Sequence, residues 1–362
     1  LGTTSPVITV KGGNYSADPA KVTSYGSIVL DANCVVVENN GVWNVVKAAA
    51  KIETTGYATL AEAVKAVKEG ETITILAGTH SEGTIKLPAT LKNVTIKGES
   101  VARSTEGAVL KDMTISAADG NAYSYEGLTF DGITFDNSRI LLTGWRNGDE
   151  IIENLAVTNC TFKNLNDNTN TAPIHINKDA SEAVNGFTFT NNVIDGATGG
   201  SKSGIYAQVT GEVKVENNII NNVSFRPYVI HVTTDDGIAD NFTVKGNTFS
   251  GSAVGRAQGL GNNAEGTDNV NLVVSNNIFK GITDSQQICY WNFNPETTTA
   301  DLSKNYYDID IVANPGKIYF NSPAADNYAL RDMNVFPIYT VLNENGTINT
   351  ESAFTPKFYI AT

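Results

Sequence analysis

An all-β fold, a parallel β-solenoid, is what this sequence predicts, and three observations carry the prediction. The first is a repeat. Leu128-Thr-Phe-Asp-Gly-Ile-Thr-Phe135, Leu155-Ala-Val-Thr-Asn-Cys-Thr-Phe162, Phe187-Thr-Phe-Thr-Asn-Asn-Val-Ile194, Val213-Lys-Val-Glu-Asn-Asn-Ile-Ile220, Phe242-Thr-Val-Lys-Gly-Asn-Thr-Phe249 and Leu272-Val-Val-Ser-Asn-Asn-Ile-Phe279 share one pattern. It reads apolar, x, apolar, x, Asn/Gly, Asn, x, apolar, and successive copies begin 27, 32, 26, 29 and 30 residues apart. A degraded copy follows at Leu302-Ser-Lys-Asn-Tyr-Tyr307. The second is composition. With 41 Asn and 32 Gly among 362 residues, about one residue in five tolerates positive φ, so the chain must turn often. The third is a second strand-like segment in each repeat: Pro173-Ile-His-Ile-Asn177, Gly204-Ile-Tyr-Ala-Gln208, Tyr228-Val-Ile-His-Val-Thr233, Gln287-Ile-Cys-Tyr-Trp291 and Lys317-Ile-Tyr-Phe320. These are rich in β-branched and aromatic residues and bounded by turn formers.

In chain order, residues 1–50 predict a small β-rich lead-in, joined through Ala48-Ala-Ala50 to a helix near residues 58–69. Leu60, Ala63, Val64 and Val67 fall at i, i+3, i+4 and i+7. Thr59 fits an N-cap with Glu62 three residues on, and Gly70 fits a stop, so the expectation is an amphipathic helix of about three turns. Thr72-Ile-Thr-Ile-Leu-Ala-Gly-Thr79 then reads as a strand and a turn. The helix is expected to cap the solenoid, because an open end exposes core and strand edge.

Residues 51–322 are assigned to the solenoid. Alternation of period two marks a strand with one buried face, too short to bury that face alone. Stacking the copies places Phe189, Val215, Val244 and Val274 in one column, and Phe135, Phe162, Ile194, Ile220, Phe249, Phe279 and Tyr307 in another. Asn192, Asn218, Asn247, Asn277 and Asn305 form a corner column. There Asn is expected to take the left-handed conformation of a tight corner while its amide bonds the amides above and below. Roughly nine coils at the usual strand spacing extend about 45 Å. Residues 323–362 lose the repeat and contain Pro323, Pro337 and Pro356, which predicts a C-terminal cap or the stub of a following module. Both ends read as cuts from a longer chain.

The run Tyr57-Ala-Thr-Leu-Ala-Glu-Ala-Val64, followed by Gly70-Glu-Thr-Ile-Thr-Ile-Leu-Ala-Gly-Thr-His80 and Leu91-Lys-Asn-Val-Thr-Ile-Lys-Gly98, resembles the start of right-handed parallel β-helices of the pectin-lyase-like superfamily. It is especially similar to modules of large bacterial cell-surface proteins. Ile8-Thr-Val-Lys-Gly-Gly-Asn-Tyr15 through Gly41-Val-Trp-Asn-Val45 resembles the piece that ends one such module before the next begins. The resemblance implies a right-handed parallel β-helix with an N-terminal capping α-helix over residues 7–310. It is specific for fold, since the superfamily holds lyases, hydrolases, epimerases, phage spikes and adhesins.

Charge and cysteine usage narrow the function classes. Lys plus Arg number 25 against 38 Asp plus Glu, a net charge of −13, and the scattered acids argue against nucleic acid as a partner. No run of eighteen apolar residues occurs, so no membrane span is expected, and residues 1–20 lack a signal-peptide pattern. Cys34, Cys160 and Cys289 are expected as buried free thiols, and such sparse cysteine suits a bacterial exported protein. With three histidines and no Cys-x-x-Cys or His-x-x-x-His spacing, no metal and no cofactor are expected.

For the lyases of the superfamily, the resemblance implies an Arg or Lys base beside a calcium site of several carboxylates. Asp235-Asp236 is the only adjacent acidic pair near the middle of the solenoid. Arg226 and Arg256 are the candidate bases, although Thr233-Thr-Asp-Asp-Gly237 also reads as an ordinary turn. The polygalacturonase type implies Asn-Thr-Asp, Asp-Asp, Gly-His-Gly and Arg-Ile-Lys elements. Only Asp235-Asp236 is present, and the pectate-lyase element containing Trp-x-Asp-His is missing.

One exposed arrangement remains. With Ile174/Ile176, Ile205/Ala207 and Ile230/Val232 inward, His175, Tyr206 and His231 turn outward at intervals of 31 and 25 residues, tracking the motif spacing of 32 and 26. With Arg226 close by, this column is the expected ligand face, a shallow glycan site; the alternative is a surface ladder without a ligand. Trp145 and Trp291 either extend the platform or shield coil ends.

The expected function is therefore a non-enzymatic, exported bacterial surface protein, adhesin-like or glycan-contacting, extracellular and monomeric. Its expected partners are host or plant glycans or a surface protein. The rivals are a divergent polysaccharide lyase or glycoside hydrolase using Asp235, Asp236 and Arg226 on acidic polysaccharide, and a passive spacer.

Overall fold

The computed structural model describes residues 7–22, 27–99, 107–119, 122–143, 151–165, 173–177, 184–196, 205–207, 209–221, 241–250, 258–261, 271–280, 289–292, 299–301, 306–307 and 318–320. Short strands make up nearly all of their regular structure, with one α-helix, Leu60–Ala66, and a 3-10 turn, Pro19–Lys21. Three stacks dominate: a thirteen-stranded, a nine-stranded and a five-stranded sheet. From Thr72–Ile75 onward the strands of the longest stack pair in parallel. All pairs of the nine- and five-stranded sheets are parallel too.

The chain visits these sheets in a fixed order. Thr129–Asp131 lies in the thirteen-stranded sheet, Thr134–Asp136 in the nine-stranded, Arg139–Thr143 in the five-stranded, and Ile151–Thr158 returns to the first. The same circuit continues through Thr161–Lys163, Ile174–Asn177 and Val184–Thr190, then Val193–Asp195, Ile205–Ala207 and Val209–Glu216. Parallel strands joined this way are compatible with a β-helix or solenoid.

Register turns the repeat into columns. Leu110, Phe135, Phe162, Ile194, Ile220, Phe249, Phe279 and Tyr307 are successive partners across the nine-stranded sheet. The first five are fully buried, and the Phe135 and Phe162 rings stack 4.7 Å apart at 6°. Ile73, Ile96, Phe130, Val157, Phe189, Val215, Val244 and Val274 form the matching column in the longest sheet. Each buried Phe or Ile contributes about 1.5–3 kcal/mol relative to exposure, so continuity of the columns is the main favourable term.

Between the two columns sits the Asn corner. Asn192, Asn218, Asn247 and Asn277 are buried. Asn192 N–H and Nδ2 donate to Asn218 Oδ1 at 2.8 and 3.2 Å, and Asn218 N–H and Nδ2 both donate to Asn247 Oδ1 at 2.9 Å. Asn247 repeats the pair to Asn277 Oδ1 at 2.9 Å. Each Nδ2 also reaches back to a backbone carbonyl: Val157, Phe189, Val215 and Val244 in turn. The left-handed conformation falls on the preceding residue instead: Asn191 (φ 58°), Asn217 (φ 56°), Gly246 (φ 68°) and Asn276 (φ 57°). One Asn cannot both form the exposed left-handed corner and aim its amide inward, so the pair divides the work. Asn305 lies outside the described residues.

The helix carries the full capping box, Thr59 Oγ1 accepting from Glu62 N–H at 3.1 Å while Glu62 Oε2 accepts from Thr59 N–H at 3.3 Å. Glu82 adds a carboxylate against the Leu60 and Ala61 amides at 2.7 and 3.0 Å. Leu60, Ala63 and Val64 join the core beside Ile73 and Ile75. The helix is shorter than its periodicity predicts. Val67 is already extended (φ −63°, ψ 142°), because Lys68 N–H donates to Glu71 Oε2 at 2.8 Å and Gly70 N–H to the Lys92 carbonyl at 2.9 Å. Gly70, at φ 76°, shapes that turn and does not end the helix.

Before the parallel stack, Ala50–Ile52 pairs antiparallel with both Thr55–Tyr57 and Thr72–Ile75. Earlier strands form two small sheets, a parallel pair of Val7–Val10 with Ser27–Leu30 and an antiparallel set of Gly13–Tyr15, Val42–Lys47 and Cys34–Asn39. The hairpin tip is Asn40-Gly41, both left-handed at φ 51° and 81°, as a two-residue turn matched to strand twist requires. Lys47 Nζ reaches the Ala77 carbonyl at 3.0 Å and Lys51 Nζ reaches Asn33 Oδ1 at 2.7 Å, tying these sheets to the stack. Residues 323–362 lie outside the described residues.

Candidate functional site

The five-stranded sheet is built from Thr84–Lys86, Thr114–Ser116, Arg139–Thr143, Ile174–Asn177 and Ile205–Ala207. Ile85, Ile115, Ile140, Ile174 and Ile205 are register partners in turn, and the first four are buried. Strand alternation sends Lys86, Ser116, Leu141 and His175 outward. Lys86, Ser116, Leu141, His175 and Tyr206 are register partners in turn, which seats His175 directly beside Tyr206, one strand apart. His175 is half-buried between buried Ile174 and Ile176.

Arg139 lies diagonally from His175, two residues before Leu141 on the adjoining strand. Its Nε donates to Thr114 Oγ1 at 3.3 Å. Burial holds the guanidinium below its ordinary value. Burial, and next the Arg139 charge, hold the His175 imidazole below its own. The expectation that this histidine charges below about pH 6.5 is therefore corrected downward: the charge appears only in more acidic solution. Lys86 is exposed and pairs with Asp119.

The sequence reading missed Arg139. Leu141 and Leu142 interrupt the alternation, so Arg139-Ile-Leu-Leu-Thr143 reads as a buried run; the usable signal is that Arg139 shares the parity of Leu141, the partner of His175. Of the other expected site residues, Arg226, His231, Asp235 and Asp236 lie outside the described residues, as do Arg256 and Trp145. Trp291 is placed in the strand Cys289–Asn292, which pairs with Ile318–Phe320.

Cysteine placement is mixed. Cys160 is buried and free, and burial pushes its thiol up to about 12. It stands at the end of the Asn column, its N–H donating to Asn192 Oδ1 at 2.8 Å. Cys34 is free but only half-buried, a correction to the expectation of burial, because its strand Cys34–Asn39 belongs to the three-stranded lead-in sheet and none of its residues is buried.

Among the described residues, no three His, Cys, Asp or Glu side chains gather where they could hold a metal ion, and no helix is long and apolar enough to cross a membrane. Compared with family models, with curated proteins and with solved structures, the chain gives no match.

Proposed function

We propose that this chain is a non-enzymatic, exported bacterial surface protein, an adhesin-like right-handed β-helix of the pectin-lyase-like kind, closed at its N-terminal end by the helix Leu60–Ala66. It acts outside the cell as a monomer and contacts glycans through the outer face of the five-stranded sheet. The observation that carries the reading is the register of His175 on Tyr206. A histidine and a tyrosine in register on adjacent strands, about 4.8 Å apart along the backbone stack, are residue types that offer a sugar ring both a stacking surface and hydrogen-bond partners. Burial of Leu60, Ala63 and Val64 against the first strands supports the capping role.

A glycan array with the purified chain, repeated with His175→Ala and Tyr206→Ala, tests the reading. The expected outcome is a restricted set of oligosaccharides whose signal falls in both variants. An array without hits, or hits indifferent to both substitutions, contradicts it. Release of unsaturated uronate from any hit, followed by ultraviolet absorbance, would replace it with the lyase reading.

A further inference from the structure

We infer that Arg139 is the anion anchor of this outer face, and that the glycan it takes is acidic, a carboxylate-bearing oligosaccharide; the inference rests on the glycan reading above. The first ground is charge. The chain carries a net −13, yet the five strands Thr84–Lys86, Thr114–Ser116, Arg139–Thr143, Ile174–Asn177 and Ile205–Ala207 contain no Asp or Glu. Their ionisable side chains are Lys86, Arg139, His175 and Tyr206. The other two large sheets are not spared: Glu126, Asp131, Glu153, Glu212 and Glu216 lie on strands of the longest, Asp136 and Asp195 on strands of the nine-stranded sheet. The five strands themselves thus carry no carboxylate, and the one described carboxylate paired with them, Asp119, sits on Lys86, two strands from Arg139.

The second ground is the state of Arg139 itself. It is half-buried, its Nε is held by Thr114, and among the described residues its guanidinium forms no ion pair. A partly desolvated cation without a carboxylate is an unfavourable arrangement that an anion relieves. With Nε anchored, the outer nitrogens retain the planar fork that accepts a carboxylate through two parallel hydrogen bonds. A carboxylate there also lies within reach of His175, the imidazole whose ionisation Arg139 opposes. Lys86, two strands further along the same face, is already paired with Asp119, which leaves Arg139 as the anchor.

Three geometric facts thus converge: the diagonal placement of Arg139 and His175, the lack of acids on the strands, and the fixed guanidinium. The decisive experiment compares the full chain with Arg139→Gln, Arg139→Lys and Leu141→Glu on an array holding oligogalacturonate, a sialylated oligosaccharide, a sulfated galactan, and the carboxyl-reduced or desialylated counterparts. Thermal melts of each variant run alongside. The expected result is a preference of about tenfold or more for carboxylate-bearing forms, lost in Arg139→Gln and partly kept in Arg139→Lys, while binding of the reduced forms is unchanged. Leu141→Glu, which places a carboxylate beside the guanidinium, should abolish the preference even if Arg139→Gln fails to fold. Equal binding of acidic and reduced forms overturns the anchor and leaves the glycan reading standing. Binding of the sulfated galactan alone overturns the carboxylate assignment, and an array without hits overturns both.

Discussion

Replacing Asn218 by Ala tests whether the corner amides hold the coils in register. The native side chain donates through Nδ2 to the Phe189 carbonyl and to Asn247 Oδ1, and accepts through Oδ1 from the N–H and Nδ2 of Asn192. After substitution Asn247 Oδ1 keeps the Asn218 N–H and Asn192 Nδ2 keeps the Val157 carbonyl, but the buried Asn192 N–H has no acceptor. An orphaned buried amide costs about 1–3 kcal/mol. The weakened Phe189 carbonyl and a small cavity raise the expected total to about 2–4 kcal/mol. Because solenoids unfold by segments, hydrogen exchange is the better assay than a single midpoint. Peptides covering residues 184–196 should exchange faster in Asn218→Ala, and the urea midpoint should fall. Asn218→Asp keeps the shape but turns two donating contacts into repulsion, so it should be stabilised by acid that protonates the new carboxyl. Unchanged exchange and an unchanged midpoint in Asn218→Ala would refute the ladder.

Three further outcomes follow from the same geometry. Gly246→Ala should destabilise by more than about 1 kcal/mol, since φ is 68° and the new Cβ would meet Asn217 Oδ1 at 2.5 Å; a denaturation curve matching the native chain would contradict the corner assignment. His175 is held neutral by burial and then by Arg139, so its folded pKa lies below the unfolded one. The stability this contributes is complete above the unfolded value of about 6.5 and is lost as pH falls through the folded value. His175→Asn should therefore flatten the loss of stability as pH falls below about 6.5, and an identical pH slope in both proteins would count against it. Cys160, buried with its thiol near 12, should resist iodoacetamide until the chain unfolds, whereas half-buried Cys34 should label in the native state; mass spectrometry of the labelled peptides decides.

The stacking columns were legible in sequence because each coil contributes one residue per column and the same apolar type recurs. Phe135, Phe162, Ile194 and Ile220 are partners in the order their motif positions imply. The interval from His175 to Tyr206 likewise gave their pairing. The division of the Asn pair is also marked in the sequence. Gly132 and Gly246 occupy the first position of the pair, and Ile133 and Cys160 the second, which marks the first as left-handed and the second as buried. The end of the helix was not legible: Val67 continues the apolar period, and only the turn bonded to Lys92 of the next coil pulls it into extended conformation. Arg139 escaped because its role depends on what lies diagonally across a strand boundary, and motif spacing reports columns, not diagonals.

The most direct test of the central claim is a crystal structure of the chain with the oligosaccharide that binds it best. The account predicts a sugar lying across the outer face of the five-stranded sheet, with a ring against His175 and Tyr206 and a carboxylate on the Arg139 guanidinium. A sugar bound on another sheet or at an end of the stack, with Arg139 and His175 untouched, would contradict it.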